Sequence, residues 1–248
     1  MSVIGKRERW PILTPSCEIM FDEKALNNFY SDISSSEGIE IASFQKMVAT
    51  LFADDRTEHD IEHYRLGKNP WKRLRDEVLP VSRFLEFNDV VANRIRFPLG
   101  YLTPDCWLMS SNGNNRGMEV TIERGREKHH LATELNRKGM GRGFIGLQDD
   151  DQQSEFNHRM SRPRVMYSSE QALEATKQGI MRCLSRKSQP DKYRDVYYLL
   201  IQAHLNTLPH ERWGAIKEEL MSKARILPFQ EIHVIGDLGN EAWGFQIK

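Results

Sequence analysis

Two short apolar segments carry acidic residues at a spacing that could bind a divalent metal ion. They are residues 104–108 and 118–123, and a polar loop containing the step Asn112-Gly113 separates them. An Asn-Gly step between apolar segments predicts a hairpin of two antiparallel strands. In the second segment an apolar set alternates with a polar set: Met118, Val120 and Ile122 against Glu119, Thr121 and Glu123. This period of two predicts a strand with one apolar and one acidic face.

The expected strand pairing brings two of the acids together. With the loop centred on its glycine, Asp105 lies roughly opposite Thr121 and Trp107 opposite Glu119, and same-face neighbours are about 5 Å apart. Asp105 then leans toward Glu119. Such a carboxylate pair suits Mg²⁺ (or Mn²⁺), which takes hard oxygen ligands and retains several waters. Glu123, about 7 Å farther along the strand, is peripheral.

An ordinary structural explanation of this strand also exists. Alternation of apolar and charged residues is most often the mark of an amphipathic strand with one solvated face. In that interpretation Glu119 and Glu123 only face water. We favour the metal site because acidic residues are depleted from strands, and because Asp105 follows Pro104 at a strand entrance where Ser or Thr would serve as well.

Asp105, the hairpin and Glu119-Val120-Thr121, followed by a predicted helix, resemble the PD-(D/E)XK nuclease superfamily. Its pattern is Pro-Asp, a variable hairpin, then an acid, any residue and Lys. The resemblance covers residues 85–145 closely and the remainder only by element order. It implies a restriction-endonuclease-like fold in which Asp105 and Glu119 bind the metal and the carbonyl of Val120 adds a ligand. It also implies hydrolysis of phosphodiester bonds in DNA, or less favourably RNA, in a setting such as restriction or phage defence.

The sequence departs from this family at one position, since Thr121 stands where the family has Lys. These enzymes need a cation or polar group near the attacking water, and in some members the Lys lies on the neighbouring helix. Lys128 is therefore the leading substitute, with Arg124 and Arg126 as alternatives, and Thr121 remains the polar group at the family position. If none of them reaches the site, the protein would be a catalytically inactive nucleic-acid-binding or assembly module.

Further residues could contribute to such a site. Glu77 and Glu86 are candidates because the family often contributes a Glu from its first core helix, although a solvated helical face is the favoured explanation for either one alone. Arg142, together with Arg124 and Arg126, is a candidate phosphate contact. Arg142 lies in a glycine-rich loop, residues 139–146, that superficially matches a dinucleotide-binding motif. Because a helix is predicted before this loop instead of a strand, we reject that match.

Composition limits the classes of function. The chain has 248 residues, 35 basic and 35 acidic residues, and a mean hydropathy of −0.60. Zero net charge gives no global attraction to nucleic acid, so DNA binding would depend on local basic stretches. The sequence contains no run of 18 apolar residues and no apolar N-terminal segment, which predicts no membrane association and a cytoplasmic location. Three distant cysteines predict reduced thiols.

The order of predicted elements indicates an α/β fold with a mixed central sheet flanked by helices. Helices are expected over 22–33, 41–52, 71–95 with a break at Pro80, 125–138, 168–186 and 211–224. Strands are expected over 97–102, 105–109, 117–123, 196–202, 231–235 and 243–247, and residues 152–167 lack periodicity. We divide the chain into an N-terminal arm and helical appendage, residues 1–58, and a nuclease-like core, residues 59–248.

Two questions stay open at this stage. A metal-dependent hydrolase of small nucleotides is a further alternative function, and it would require an enclosed pocket near Asp105. The other question is whether the protein forms a homodimer, because Trp71, Trp213 and Trp243 suit either a core or an interface.

Overall fold

The computed structural model describes residues 23–53, 57–100, 103–143, 145–162, 168–189, 191–193, 196–237 and 242–248. The predicted N-terminal arm and Cys17 lie outside these residues. The helices are α1 (Glu23–Ile33), α2 (Ile41–Ala53), α3 (Glu58–Leu66), α4 (Trp71–Arg73), α5 (Leu79–Phe87), α6 (Gly125–Lys138), α7 (Gln153–Ser161), α8 (Ser169–Arg186) and α9 (Gly214–Ala224). The strands are β1 (Ile39–Glu40), β2 (Arg94–Arg96), β3 (Cys106–Met109), β4 (Arg116–Ile122), β5 (Tyr197–Ala203), β6 (Glu231–Gly236) and β7 (Gly244–Gln246).

The strands form one mixed sheet in the order β1-β2-β3-β4-β5-β6-β7. The pairs from β1 to β4 are antiparallel, β5 lies parallel to both β4 and β6, and β7 returns antiparallel to β6. The nearly continuous apolar sequence of β5 fits its central position, because both faces of a strand there are buried. The predicted mixed α/β architecture is therefore confirmed.

Each face of the sheet packs on its own hydrophobic cluster. On β5, Leu199 and Ile201 belong to a cluster with α8 and α9, whereas Leu200 belongs to a cluster with α1, α2 and α5. This follows from the strand geometry, since successive side chains point to opposite faces. Helix α8 begins as predicted, with a capping box in which Ser168 and Gln171 bond reciprocally.

Part of the predicted N-terminal appendage belongs to the main core. Strand β1 pairs with β2, with Ile39 opposite Ile95. Phe29 from α1 and Phe44 from α2 are buried in the same cluster as Ile95. Their aromatic rings contact each other with centroids 6.5 Å apart. Residues 23–53 thus complete one edge and one face of the sheet.

The hairpin register differs from the predicted one by two residues. Trp107 pairs with Gly117, not with Glu119, because the loop is centred on Asn112 and not on the following glycine. A shift of two preserves the face on which each side chain lies. Continuing the observed register by one residue places Asp105 opposite Glu119.

Other local differences have simple causes. The predicted break at Pro80 does not occur. A π-helical turn, Leu74–Val78, precedes α5, and Leu79 N donates to Leu74 O. This widened turn accommodates the proline ring without ending the helix. A short strand, β2, replaces the end of the helix expected up to residue 95. Helix α7 forms in the stretch without periodicity, where Phe156 is the one buried residue and so gives no repeating signal.

The two described cysteines, Cys106 and Cys183, are buried free thiols. None of the helices within the described ranges combines the length and apolar character needed to cross a membrane.

At Gly179, helix α8 packs tightly against Glu123, the residue that follows β4. A Cβ atom there would lie 2.2 Å from Glu123 Oε1 and 2.6 Å from its Cγ. Glu123 cannot easily move, because its carboxylate contacts Arg124 and accepts a hydrogen bond from His204 N at 3.4 Å. The close packing of α8 on β4 therefore requires glycine at this position.

We predict that Gly179→Ala destabilises the protein, although Gly to Ala inside a helix ordinarily stabilises it by about 1 kcal/mol. Overpacking against a buried carboxylate should reverse the sign and lower the free energy of unfolding by roughly 1–3 kcal/mol. Chemical denaturation measures the change. The control is Gly214→Ala at the start of α9, where a Cβ would meet no atom within 4 Å. An unchanged or increased stability of Gly179→Ala would contradict this account of the packing.

Candidate metal and phosphodiester site

Asp105 and Glu119 line one cleft of about 370 Å³ at the hairpin. Asp105 immediately precedes β3, and its Oδ2 accepts a hydrogen bond from Val120 N at 2.7 Å. Glu119 lies within β4 and is only 4 % exposed. We call this space the acid cleft; it is also lined by Glu77, Val120, Thr121, Lys128 and Lys187. The hairpin thus brings together the residues that the sequence pattern paired.

The acidic face of β4 is covered by protein instead of water. Glu119 and Glu123 are 4 % and 5 % exposed. Helix α8 lies over this face, with Cys183 close to Thr121 and Gly179 against Glu123. The alternative of a solvated amphipathic strand is therefore wrong for these residues.

Lys187 supplies the cation nearest to the acids. It is the C-cap residue that directly follows α8, and its Nζ lies 2.6 Å from Glu119 Oε1. Burial lowers the pKa of Lys187, but the charge and the hydrogen bond of Glu119 outweigh that effect and raise it. Lys187 is thus a charged ammonium at neutral pH. No local sequence pattern indicated this role, because Lys187 lies 68 residues from Glu119.

The carboxylates of the acid cleft repel one another. Burial raises the pKa of Asp105 to about 6, with a further contribution from the charge of Glu119 and opposition from the Val120 N–H bond. Burial, followed by the charge of Asp105, raises the pKa of Glu77 to about 7. Groups whose environment disfavours their charged form at neutral pH are typical of functional sites. Glu77, on the π-helical turn, is therefore part of the cleft, whereas Glu86 lines a neighbouring cavity.

Lys128, the predicted substitute for the family's Lys, has other partners. Its Nζ lies 3.3 Å from Gln202 Oε1 and 3.9 Å from Asp237 Oδ2. Burial lowers the pKa of Lys128, while the charge of Asp237 opposes this. Lys128 lines the acid cleft from its rim, and the direct ion pair with Glu119 belongs to Lys187.

The three predicted phosphate-binding arginines make internal contacts. Arg124 is 4 % exposed and pairs with Glu123 and Glu127. Arg126 donates to Asp151 O at 2.7 Å and packs over an aromatic ring. Arg142 donates to carbonyl groups near the end of α7 and to Glu134. These contacts hold the surrounding loops, and they leave Lys187 as the best-placed cation.

A divalent ion fits the donor set of the acid cleft. Among the described residues, no three His, Cys, Asp or Glu side chains form a ready-made metal cage. Mg²⁺ does not require one, because it is usually held by one or two carboxylates and several waters. Glu119 Oε2 is buried and has no hydrogen-bond partner within the described part of the chain. An ion between Asp105 and Glu119 would satisfy this oxygen, and Val120, whose carbonyl is the third predicted ligand, also lines the cleft.

No protein-family model, curated protein or solved structure matches the chain. The argument for function therefore depends on the chemistry of the acid cleft.

We predict that Asp105→Asn stabilises the protein at about pH 8 in the presence of a chelator. The raised pKa means that the native state binds this proton more tightly than the unfolded chain does. The contribution of Asp105 to the stability of the wild type therefore falls as the pH rises from about 4 to about 7, and it is lost above that range. Removing the charge should raise the free energy of unfolding by roughly 1–3 kcal/mol at pH 8 and by little at pH 4. The asparagine oxygen still accepts the Val120 N–H bond.

Glu134→Gln serves as a control of opposite sign. Hydrogen bonds from Arg142 and then Lys138 lower the pKa of Glu134 to about 2. This variant should lose stability at pH 8 and lose less as the pH falls through the lowered pKa. Denaturant titrations at several pH values measure both. A stability gain for Asp105→Asn that is equal at pH 4 and pH 8 would refute the electrostatic explanation.

Proposed function

We propose that this protein is a metal-dependent nuclease that hydrolyses phosphodiester bonds in DNA, with RNA the less favoured substrate. The observation that carries the proposal is the meeting of Glu77, Asp105, Glu119 and Lys187 in one cleft. Acids that hold a divalent ion beside a lysine that neutralises phosphate charge are the parts that phosphodiester hydrolysis needs. The resemblance to PD-(D/E)XK nucleases supports the same function, and with it a restriction-endonuclease-like fold.

Each residue has a role in this proposal. Asp105 and Glu119 hold Mg²⁺ or Mn²⁺, and the Val120 carbonyl adds an oxygen ligand. The bound ion supplies an activated water and positive charge beside the phosphate. The Val120 N–H bond fixes the Asp105 carboxylate. Burial and the charge of Asp105 raise the pKa of Glu77 to about 7, so before a cation binds this group can hold or release a proton at neutral pH.

Lys187 takes the role for which the sequence indicated Lys128. Its Nζ is anchored on Glu119 at 2.6 Å, and from there it can stabilise negative charge that develops on the phosphate. Lys128 at the rim contributes a second, more distant positive charge. Thr121 lies between the acids and α8, where it contacts Cys183, and it acts as a polar neighbour of the site.

A catalytically inactive nucleic-acid-binding or assembly module is the second candidate. Two observations favour it: Thr121 occupies the family's lysine position, and the net charge of the chain is zero. The presence of Lys187 at Glu119 favours the enzyme. The two candidates differ in one measurable property, which is metal-dependent cleavage.

We predict that the purified protein cleaves DNA in the presence of Mg²⁺ or Mn²⁺, and that Lys187→Met is impaired more than Lys128→Met. Asp105→Asn and Glu119→Gln should reduce the cleavage rate at least about 100-fold, because each removes a ligand charge. Lys187→Met should cost about 100-fold, a size typical for loss of one group that stabilises transition-state charge. The assay compares single- and double-stranded DNA and RNA with several metals.

Lys138→Met is the matched lysine control, since Lys138 is exposed on α6 and pairs with Glu134. It should cleave at the wild-type rate. If no metal supports cleavage of any substrate while Asp105→Asn still binds nucleic acid, the enzyme proposal fails and the binding module replaces it. If Lys128→Met loses more activity than Lys187→Met, the assignment of the cation is wrong.

A further inference from the structure

A second cavity, of about 790 Å³, lies beside the acid cleft. Arg75 and Lys128 line both spaces, so the two are neighbours that share these side chains. Glu123, His204 and Asp237 line the second cavity, and they are the first residues after β4, β5 and β6, respectively. It therefore lies at the carboxyl ends of three adjacent parallel strands, and we call it the carboxyl-edge cavity. In open α/β sheets, ligands bind outside this end of the strands.

The walls of the carboxyl-edge cavity are apolar and partly aromatic. Phe52 from α2, Tyr64 from α3, Leu79 from α5 and Leu131 from α6 line it. Phe52 is 37 % exposed, and its ring meets Tyr64 edge to face with centroids 6.0 Å apart. Apolar walls with aromatic faces are suited to a planar ring, because stacking on them tolerates any heteroaromatic base.

Hydrogen-bond donors and acceptors also line the carboxyl-edge cavity. His204 Nδ1 is 3.0 Å from Asp237 Oδ2, and Lys128 Nζ donates to Gln202 Oε1 at 3.3 Å. Burial lowers the pKa of His204, but the hydrogen bond and charge of Asp237 outweigh it and raise the pKa. A ligand with an apolar body and a polar edge would match this arrangement, whereas a purely aliphatic chain would cut these polar groups off from water.

Positive side chains lie where the two spaces meet. Arg75 and Lys128 are the basic residues that line both of them. The adjoining acid cleft is the place we assign to the metal and the phosphate. A ligand that spans both spaces therefore has a phosphate at one end and a planar polar ring at the other.

We propose that the carboxyl-edge cavity receives the base and sugar of a nucleotide whose phosphate lies in the acid cleft. This inference rests on the proposed function, because that function places the phosphate. The nucleotide belongs either to a nucleic-acid strand, from which its base must be unstacked, or to a free nucleotide. Both present the same chemistry to the cavity, and the experiment distinguishes them.

The test fills the cavity from one wall. Ala49 on α2 is exposed and lines the cavity, whereas Ala42, exposed on the same helix, does not. Ala49→Trp is therefore compared with Ala42→Trp. Calorimetric titration in Mg²⁺ uses 2′-deoxynucleoside 5′-monophosphates, which contain no phosphodiester bond to hydrolyse, and inorganic phosphate as probes. We expect Ala49→Trp to bind monophosphates at least tenfold more weakly than Ala42→Trp does, with phosphate binding equal in both.

Oligonucleotides that contain 2-aminopurine identify the source of the nucleotide. A rise in fluorescence with the wild type and Ala42→Trp, lost in Ala49→Trp, assigns the cavity to an unstacked base of a strand. If Ala49→Trp weakens the binding of monophosphates but no rise in fluorescence occurs with the wild type, the cavity is assigned to a free nucleotide. If Ala49→Trp and Ala42→Trp behave alike with both probes, the proposal is overturned. It is also overturned if Ala49→Trp changes only the oligomeric state, since the cavity is then an interface between copies.

These measurements separate the cavity from the proposed nuclease activity. If the wild type cleaves no substrate but monophosphate binding depends on residue 49, the nuclease proposal fails and the cavity assignment stands. If the wild type cleaves DNA but the binding of no probe depends on residue 49, the nuclease proposal stands and the cavity assignment fails. Ala132→Trp fills the same cavity from α6 and replaces Ala49→Trp if that variant does not fold.

Discussion

Carboxylates on the covered face of β4 need partners, and this requirement organises the protein around one strand. A buried charge without a partner costs several kcal/mol. Glu119 meets Lys187 from the end of α8, and Glu123 meets Arg124 and the backbone N–H of His204. The end of α8, the start of α6 and the end of β5 are therefore tied to the same strand. Gly179 allows α8 to come close enough for these contacts.

Neutralisation is incomplete in the acid cleft, and this distinguishes it from a structural ion-pair network. Lys187 satisfies one oxygen of Glu119, while Oε2 of that residue remains without a partner among the described residues. Asp105 and Glu77 share the cleft with raised pKa values. A fold selected for stability alone would replace one of these acids by a neutral side chain. The retained repulsion is understandable if a divalent cation completes the charge balance.

The sequence predicted the local features and missed the distant ones. Alternation in β4 identified the face that holds Glu119, and Ser168 with Gln171 identified the start of α8, because both signals lie within a few residues. The partnership of Glu119 with Lys187 spans 68 residues and depends on how α8 crosses the sheet. No short stretch of sequence determines the angle at which α8 crosses the sheet. Lys128, close in sequence and on the next helix, was the reasonable local choice, but Gln202 and Asp237 from β5 and the end of β6 hold its ammonium.

The period of two in β4 also links the two cavities. Glu119 lines the acid cleft and Glu123 lines the carboxyl-edge cavity, four residues and therefore about 13 Å farther along the strand. Lys128 lines both spaces from α6. In the proposed binding mode the nucleotide is extended along β4, with its phosphate near Glu119 and its base against the aromatic wall of the carboxyl-edge cavity. One strand thus sets the spacing between the two ends of the proposed ligand.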